Sequence, residues 1–384
     1  MRDVDILIVG GGIIGVATAY AIAKRTSDRI VLLEAESSLG SGATAKGTGG
    51  MRHQFSSEVN VRLTQLSFPV YERFEAEFGQ SIGLRRHGYL LVTSRAEVWE
   101  ELRRSVAMQQ ALGVPSRIVT PAQAADLFPH LRVDDLRGGS YCPLDGSASP
   151  TDAALGFAAQ ARSLGVTFRL GEHVERVLVS DGRVVGVSTS TGEYRARVVV
   201  NAAGPAAAAL AKTAGIDLPA RPFRRQVFVA PPIEWLPHGL PMLVDLDTGW
   251  YVHQEAAGTL LLGGTDATTR PGMVEEVDWD AFHRVAEAVA GRVPQMADAL
   301  RIHSAYCGIR TVTPDHLPIL GPVRGLSGYI SATACNGHGF MHAPAVGLLL
   351  AESIVDGGLR SVTEESVSLH RFEGALGPTE AVVF

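Results

Sequence analysis

Lysine is almost missing from this 384-residue chain. It occurs at Lys24, Lys46 and Lys212 only, and arginine supplies nearly all the remaining positive charge. Cysteine is as sparse: Cys142, Cys307 and Cys335 form an odd set without CxxC spacing, which points to neither a disulfide framework nor a zinc site. Reduced thiols are expected. No basic run accompanies the net charge of −6, which argues against nucleic acid as the partner. The later apolar stretch, "APAVGLLLAESI", is too short and is ended too soon by Glu352 and Asp356 to span a bilayer. The opening "MRDVDILIVG" runs straight into a strand pattern, leaving no room for a secretory signal, so a cytoplasmic location is expected.

What is present fits an ordinary globular protein, with 46% hydrophobic and 19% charged residues. The length exceeds what one core usually serves. Two domains, or a nucleotide-binding domain with a large inserted layer, are therefore expected. "VDILIVG" reads as a buried strand, "GGIIGVATAYAIAKR" as a helix and "RIVLLEAE" as a second buried strand, together a βαβ unit. At its turn stand Gly10, Gly12 and Gly15 as GxGxxG, followed by Ile13 and Ile14 inside the helix. Glu34 ends the second strand 19 residues after Gly15. The three glycines serve the tight turn, the close approach of backbone to a pyrophosphate, and close helix–strand packing, in that order. The helix N-terminus offers N–H groups and a positive dipole end to the phosphates. A glycine motif alone is weak, but the acidic residue at this distance suits ribose hydroxyls and disfavours a 2′-phosphate, which leaves FAD or NAD.

Residues 41 to 55, "SGATAKGTGGMRHQF", lack any apolar period and read as a loop wrapped round a ligand rather than a linker. Helix patterns follow over Glu58–Phe78, "AEVWEELRRSVAMQQALG", "PTDAALGFAAQARSLGV" and "DWDAFHRVAEAVAGRV". A β-meander with a turn at Asp181-Gly182 leads into the strand "RVVVNAAG". Near the end, "NGHGFMHAPAVG" reads as a glycine turn entering a helix, with Pro344 suited to its first turn.

These pieces, together with "CPLDGSASPTDAA" and "TPDHLPILGP", resemble in order the D-amino-acid oxidase superfamily of FAD-dependent oxidoreductases. Within it the chain is most similar to sarcosine oxidase, glycine oxidase and the L-proline dehydrogenase β subunit, from about Val4 to Gly357. The resemblance implies an α/β fold: a discontinuous Rossmann-like FAD-binding domain (1–85, 145–220 and 305–384) and a second α+β substrate domain built on an antiparallel sheet (86–144 and 221–304). It implies FAD as the cofactor, with contacts from Gly10, Gly12, Ile13, Ile14, Gly15, Glu34, Ala35, Ser41, Ala43, Thr44, Gly49, Gly50, Met51, Val174, Ala203, Gly204 and Gly308. Arg310, Asn336, Gly337, His338, Gly339, Phe340 and Met341 complete that expected set.

The implied reaction is oxidation of a C–N bond in a small amino acid or secondary amine, sarcosine- or proline-like, by hydride transfer to flavin. The acceptor is O2 or another oxidant, and a homo- or hetero-oligomer is allowed. Glycine or D-amino-acid oxidation, and a flavoprotein subunit inactive by itself, are alternatives. Arg310 stands where related enzymes clamp a substrate carboxylate, a role that suits a planar guanidinium fork; its alternative is an ion pair with Asp315 or another acid. Arg52, Tyr251 and His338 are the other candidates for direct roles, and Trp250 and Phe340 are expected as pocket walls. The covalent flavin cysteine of monomeric sarcosine oxidase aligns with Gly308, so non-covalent FAD is expected.

Overall fold

The computed structural model describes residues 2–265, 268–333, 335–374, 377 and 379–384. They are organised on two large sheets, with a small two-stranded one between Gly50–Met51 and Gly146–Ser147. The apolar runs of the βαβ unit become the strands Ile6–Val9 and Ile30–Leu33, and "RVVVNAAG" yields Val198–Asn201; every residue of all three is buried. A parallel strand covered on both faces has no solvent side, so a continuous apolar run replaces alternation. These strands lie in parallel, flanked by Leu326–Thr333 on one side and Thr167–Arg169 on the other, at the centre of a ten-stranded mixed sheet.

Alternation still decides which core each residue joins. Ile6 and Ile8 face the helices Ile13–Ala23, Pro150–Ser163 and Gly339–Ala351, whereas Leu7 and Val9 join the meander and the helix Ala207–Thr213 on the opposite side. The first and last helices of that layer cross closely because Gly347 has no side chain; a methyl there would lie 2.7 Å from the Ala17 carbonyl. The meander turns at Asp181-Gly182, both at positive φ, between antiparallel strands Val174–Ser180 and Arg183–Thr189.

Pro344 departs from expectation. It sits in the second turn of the helix Gly339–Ala351, beyond the positions where a missing N–H is harmless. The Phe340 carbonyl that would have received that N–H instead accepts the Tyr71 hydroxyl, and Ala345 N–H turns to the Ser67 hydroxyl. The neighbouring helix Glu58–Glu72 thus completes a backbone that the proline interrupts.

The second sheet has eight strands, in the order Ser304–Val312, Arg221–Ala230, Leu260–Gly264, Trp250–Gln254, Met242–Asp245, Tyr89–Thr93, Gly138–Cys142 and Arg117–Val119. All its pairings are antiparallel except Met242–Asp245 with Tyr89–Thr93. The expected division placed residue 305 onward with the nucleotide-binding part. Ser304–Val312 is instead the edge strand of this second sheet, paired residue for residue with Arg221–Val229. Its glycine-containing sequence gives little strand signal by itself; the distant partner strand fixes it. The chain rejoins the larger sheet at Ile319–Val323. Among the described residues no helix is long and apolar enough to cross a membrane.

Candidate active site

Between the two sheets lies a cavity of about 570 Å³, reaching from the glycine turn to the strand that carries Arg310. At one end is the cradle. Gly10 has a φ of 108°, and a methyl on it would lie 2.3 Å from the Ala202 carbonyl; one on Gly15 would lie 1.9 Å from the Gly10 carbonyl. Only glycine fits either position. Gly12 caps the helix without any side-chain bond, which leaves its N-terminus open toward the cavity, and Thr44 of the following loop accepts the Ile13 N–H at 3.0 Å. Glu34 lines the same space while its carboxylate accepts from Gly11 N at 2.5 Å and Glu36 N at 2.8 Å, holding the turn against the strand end.

At the other end the second sheet supplies a roof. Register places Arg310 opposite Phe223, and Tyr251 opposite Gly263, with Arg310 and Tyr251 on the cavity side. The Tyr251 ring lies over Gly263, where any side chain would meet its hydroxyl at 2.4 Å. Burial raises the Tyr251 pKa, with a Thr48 hydrogen bond and Arg310 opposing, so the phenol stays protonated.

Arg310 has no ion-pair partner among the described residues. The Asp315 alternative is excluded, because Asp315 pairs with Arg371 through two bonds of 2.6 and 3.1 Å. Arg310 Nη1 donates to the Phe384 carbonyl at 2.7 Å, and its buried Nε has no hydrogen-bond partner. Burial, reinforced by Arg225 and Arg52, pushes its pKa down to about 9. This is a half-buried cation whose Nε is enclosed and beside which no side-chain carboxylate stands among the described residues.

Arg52 is placed differently. It lines the cavity yet is 2% exposed, and three of its donors are engaged: it donates to the Gln54 carbonyl, to the Val382 carbonyl at 2.9 Å and toward His338 Nε2 at 3.3 Å, between the rings of Phe55 and Phe384. Since guanidinium only donates, His338 Nε2 is the acceptor and its proton sits on Nδ1. Burial and the two arginines push the His338 pKa well below the usual histidine range, so the ring is neutral at pH 7.

Over residues 5–353 the sequence matches the family described as "DAO: FAD dependent oxidoreductase". The chain belongs to that FAD-dependent oxidoreductase family. It is 32% identical to the mitochondrial sarcosine dehydrogenase of Homo sapiens, over 92% of this chain but 40% of the relative. Glycine oxidase of Geobacillus kaustophilus is 29% identical over 91% of this chain and 92% of that protein. The crystal structure of L-proline dehydrogenase from P. horikoshii superimposes with a TM-score of 0.89 at 30% identity, covering 97% of this chain and 98% of that one. The chain spans about 40% of the length of the mitochondrial sarcosine dehydrogenases it matches.

FAD fits the residues present. Glycines admit backbone to within contact of a pyrophosphate, an uncapped helix start faces it, and Glu34 stands at the strand end. Gly308 and Gly337 then keep the far end of the cavity clear, since a methyl on them would meet Lys46 and Arg310 at 2.8 Å. Of the contacts expected for this flavoenzyme, the cavity is lined by all but three: Gly15, Ser41 and Met51. Gly15 serves packing, as its 1.9 Å clearance shows; the Ser41 hydroxyl turns outward to the Ser38 carbonyl; and Met51 is buried in a short strand against Gly146. Trp250 is corrected as well. Strand alternation points it away from Tyr251 into the core of the roof, whereas Phe340 does line the cavity. Cys307, next to Gly308, lies off the lining.

Sequence patterns do not single out Lys46, Thr48, Tyr89 and Phe384, all on the cavity wall. Lys46 and Thr48 belong to the glycine-rich loop, whose ligand-wrapping character is the signal that could have found them. Nothing local to Phe384 signals a return of the chain to the cavity.

Proposed function

We propose that this chain oxidises a small amine bearing a carboxylate, a secondary amine such as sarcosine or proline before glycine or a D-amino acid. One observation carries the reading: Arg310, a half-buried guanidinium on the cavity wall with an enclosed, unpartnered Nε and no side-chain carboxylate beside it among the described residues. A substrate carboxylate supplies the missing anion, and a planar fork fixes its orientation as a lone ammonium would not. Glu34, the cradle glycines, Gly308 and the turn before the helix Gly339–Ala351 would hold FAD, which when bound supplies the hydride acceptor.

The protein's own part is position, charge and dryness. Arg310 anchors one end of the substrate, so the carbon next to nitrogen is presented from a fixed distance; such restraint replaces a bimolecular encounter by a unimolecular one. Neutral His338 orients Arg52 instead of delivering a proton, and Tyr251, protonated, can donate a hydrogen bond to the carboxylate. The substrate enters as its free amine, so no dedicated base is required; the product imine is hydrolysed by water after release.

FAD binding is non-covalent in this reading, because Gly308 offers no thiol, Cys307 lies off the cavity wall, and the Cys335 thiol that lines it has a pKa pushed up by burial to about 12 and stays protonated. Acid precipitation should leave the yellow colour in the supernatant; colour in the pellet would contradict it. For the reaction, the purified chain should be screened anaerobically with sarcosine, L-proline, glycine and D-alanine. Loss of flavin absorbance with at least one is expected. Full retention with all of them would point to a flavoprotein that works only inside a larger assembly.

A further inference from the structure

The segment Thr379–Phe384 reaches the cavity wall and is fastened by a dense set of hydrogen bonds at Glu380. Glu380 is 2% exposed and its carboxylate accepts from Ser56 N, Ser56 Oγ, Ser57 N, Ser57 Oγ and Asn60 Nδ2, while its own N–H donates to the Asp315 carbonyl at 3.0 Å. Ala381 N–H donates to Ser56 Oγ. Beyond this anchor the contacts change in kind. The Val382 side chain is buried among Tyr89, Met242 and Val244, and its carbonyl sits on Arg52; the Phe384 carbonyl sits on Arg310 and its ring lies 4.5 Å from the Arg52 guanidinium and 6.4 Å from the Tyr251 ring.

The strap therefore touches Arg52, Arg310 and Tyr251, three of the polar groups at the substrate end of the cavity. It does not fill that end. The cavity persists with the segment in place, Phe384 is one of its lining residues, and Arg310 keeps Nε without a partner. A bound carboxylate and the Phe384 carbonyl can share one guanidinium, which carries five donors. The Tyr251 and Phe384 rings stand edge to face with centroids 6.4 Å apart, neighbouring parts of one wall of the cavity beside Arg310. Trimming Phe384 therefore enlarges the cavity at that wall.

We infer that residues 381–384 are an outer wall of the substrate compartment, anchored at Glu380, that limits the enzyme to small amines by standing on Arg52 and Arg310. The inference rests on the carboxylate-amine reading, and it assigns selectivity to a segment outside both sheets.

The test compares the holoenzyme with Phe384→Ala, which trims the wall, and with a chain lacking residues 381–384, which keeps the Glu380 anchor. Acetate and benzoate are titrated against flavin absorbance, and flavin fluorescence quenching by iodide is measured separately. Removal of 381–384 should tighten benzoate at least ~10-fold relative to acetate, Phe384→Ala should move the ratio the same way by less, and iodide quenching should rise about threefold. An unchanged ratio overturns the inference. So does equal tightening of both acids, which would make the strap a competitor for Arg310, or equal weakening, which would make it part of the anion site. Failure of the reading beneath it looks different: no carboxylate binds any form, and iodide quenching alone then decides whether the wall exists.

Discussion

The two ends of the cavity are built by opposite strategies. At the nucleotide end, backbone does the work: glycines remove side chains, a helix start supplies N–H groups, and the turn, the helix start and Glu34 come from one stretch of about thirty residues, with Thr44 and the turn at residues 202–204 closing it. At the amine end, side chains do the work, and they come from five separated places: the loop at Arg52, the strand at Tyr251, the strand at Arg310, the turn at His338 and the segment at Phe384. A local, glycine-based site is rigid and intolerant. A site gathered from distant strands leaves each member replaceable, and substrate choice can change without rebuilding the cradle.

The sharpest way to break this contrast is at Gly15. A methyl 1.9 Å from the Gly10 carbonyl forces the helix off the turn, so Gly15→Ala should yield protein without bound flavin, measured as the ratio of absorbance at 450 and 280 nm. Normal flavin content in that variant would mean that the cradle is less tightly built than described. At the other end, Arg310→Ala should keep its flavin but raise KM for carboxylate amines about a hundredfold or more, matching the roughly 3–5 kcal/mol lost when one partner of a buried charge pair is removed. Arg310→Lys should recover little of this, because an ammonium lacks the fork.

Histidines sharpen the comparison next. His253 and His342 have pKa values pushed by burial to about 3, and that of His338 is also well below the usual range. Folded pKa values below the unfolded value of about 6.5 mean that the unfolded chain binds more protons under that pH, so stability is full above it and falls beneath it. The slope is up to about 1.4 kcal/mol per histidine per pH unit. Urea midpoints at pH 7, 6 and 5 should decline accordingly, and His342→Gln should flatten the decline. Smallest is Tyr71→Phe, which strands the Phe340 carbonyl left open by Pro344 and should cost about 1–3 kcal/mol of unfolding free energy with flavin content unaltered.

Legibility in the sequence follows the same divide. The parallel strands, the fingerprint turn and Glu34 can be read because their signal is local: apolar runs, glycine spacing and one acidic residue. Arg310 is legible as a residue but not as a strand position, since the pairing of Ser304–Val312 with Arg221–Val229 is set by a partner far upstream. Trp250 is misread as a pocket wall because Trp250 and Tyr251 are adjacent, and only the strand's phase tells which one faces the cavity. Arg52 reads as a residue facing substrate. It does line the cavity, and what the sequence hides is that three of its donors go to Gln54, Val382 and His338, Val382 belonging to a segment whose sequence has no period or motif.

The central claim is that Arg310 presents its charge to a substrate carboxylate. Anaerobic flavin reduction by sarcosine should be compared with reduction by dimethylamine, which lacks the carboxylate, in the native enzyme and in Arg310→Ala. The native enzyme should favour sarcosine by at least about a hundredfold, and the preference should collapse in the variant. Equal reduction by both amines in the native enzyme, or a preference that survives loss of the guanidinium, would contradict the account.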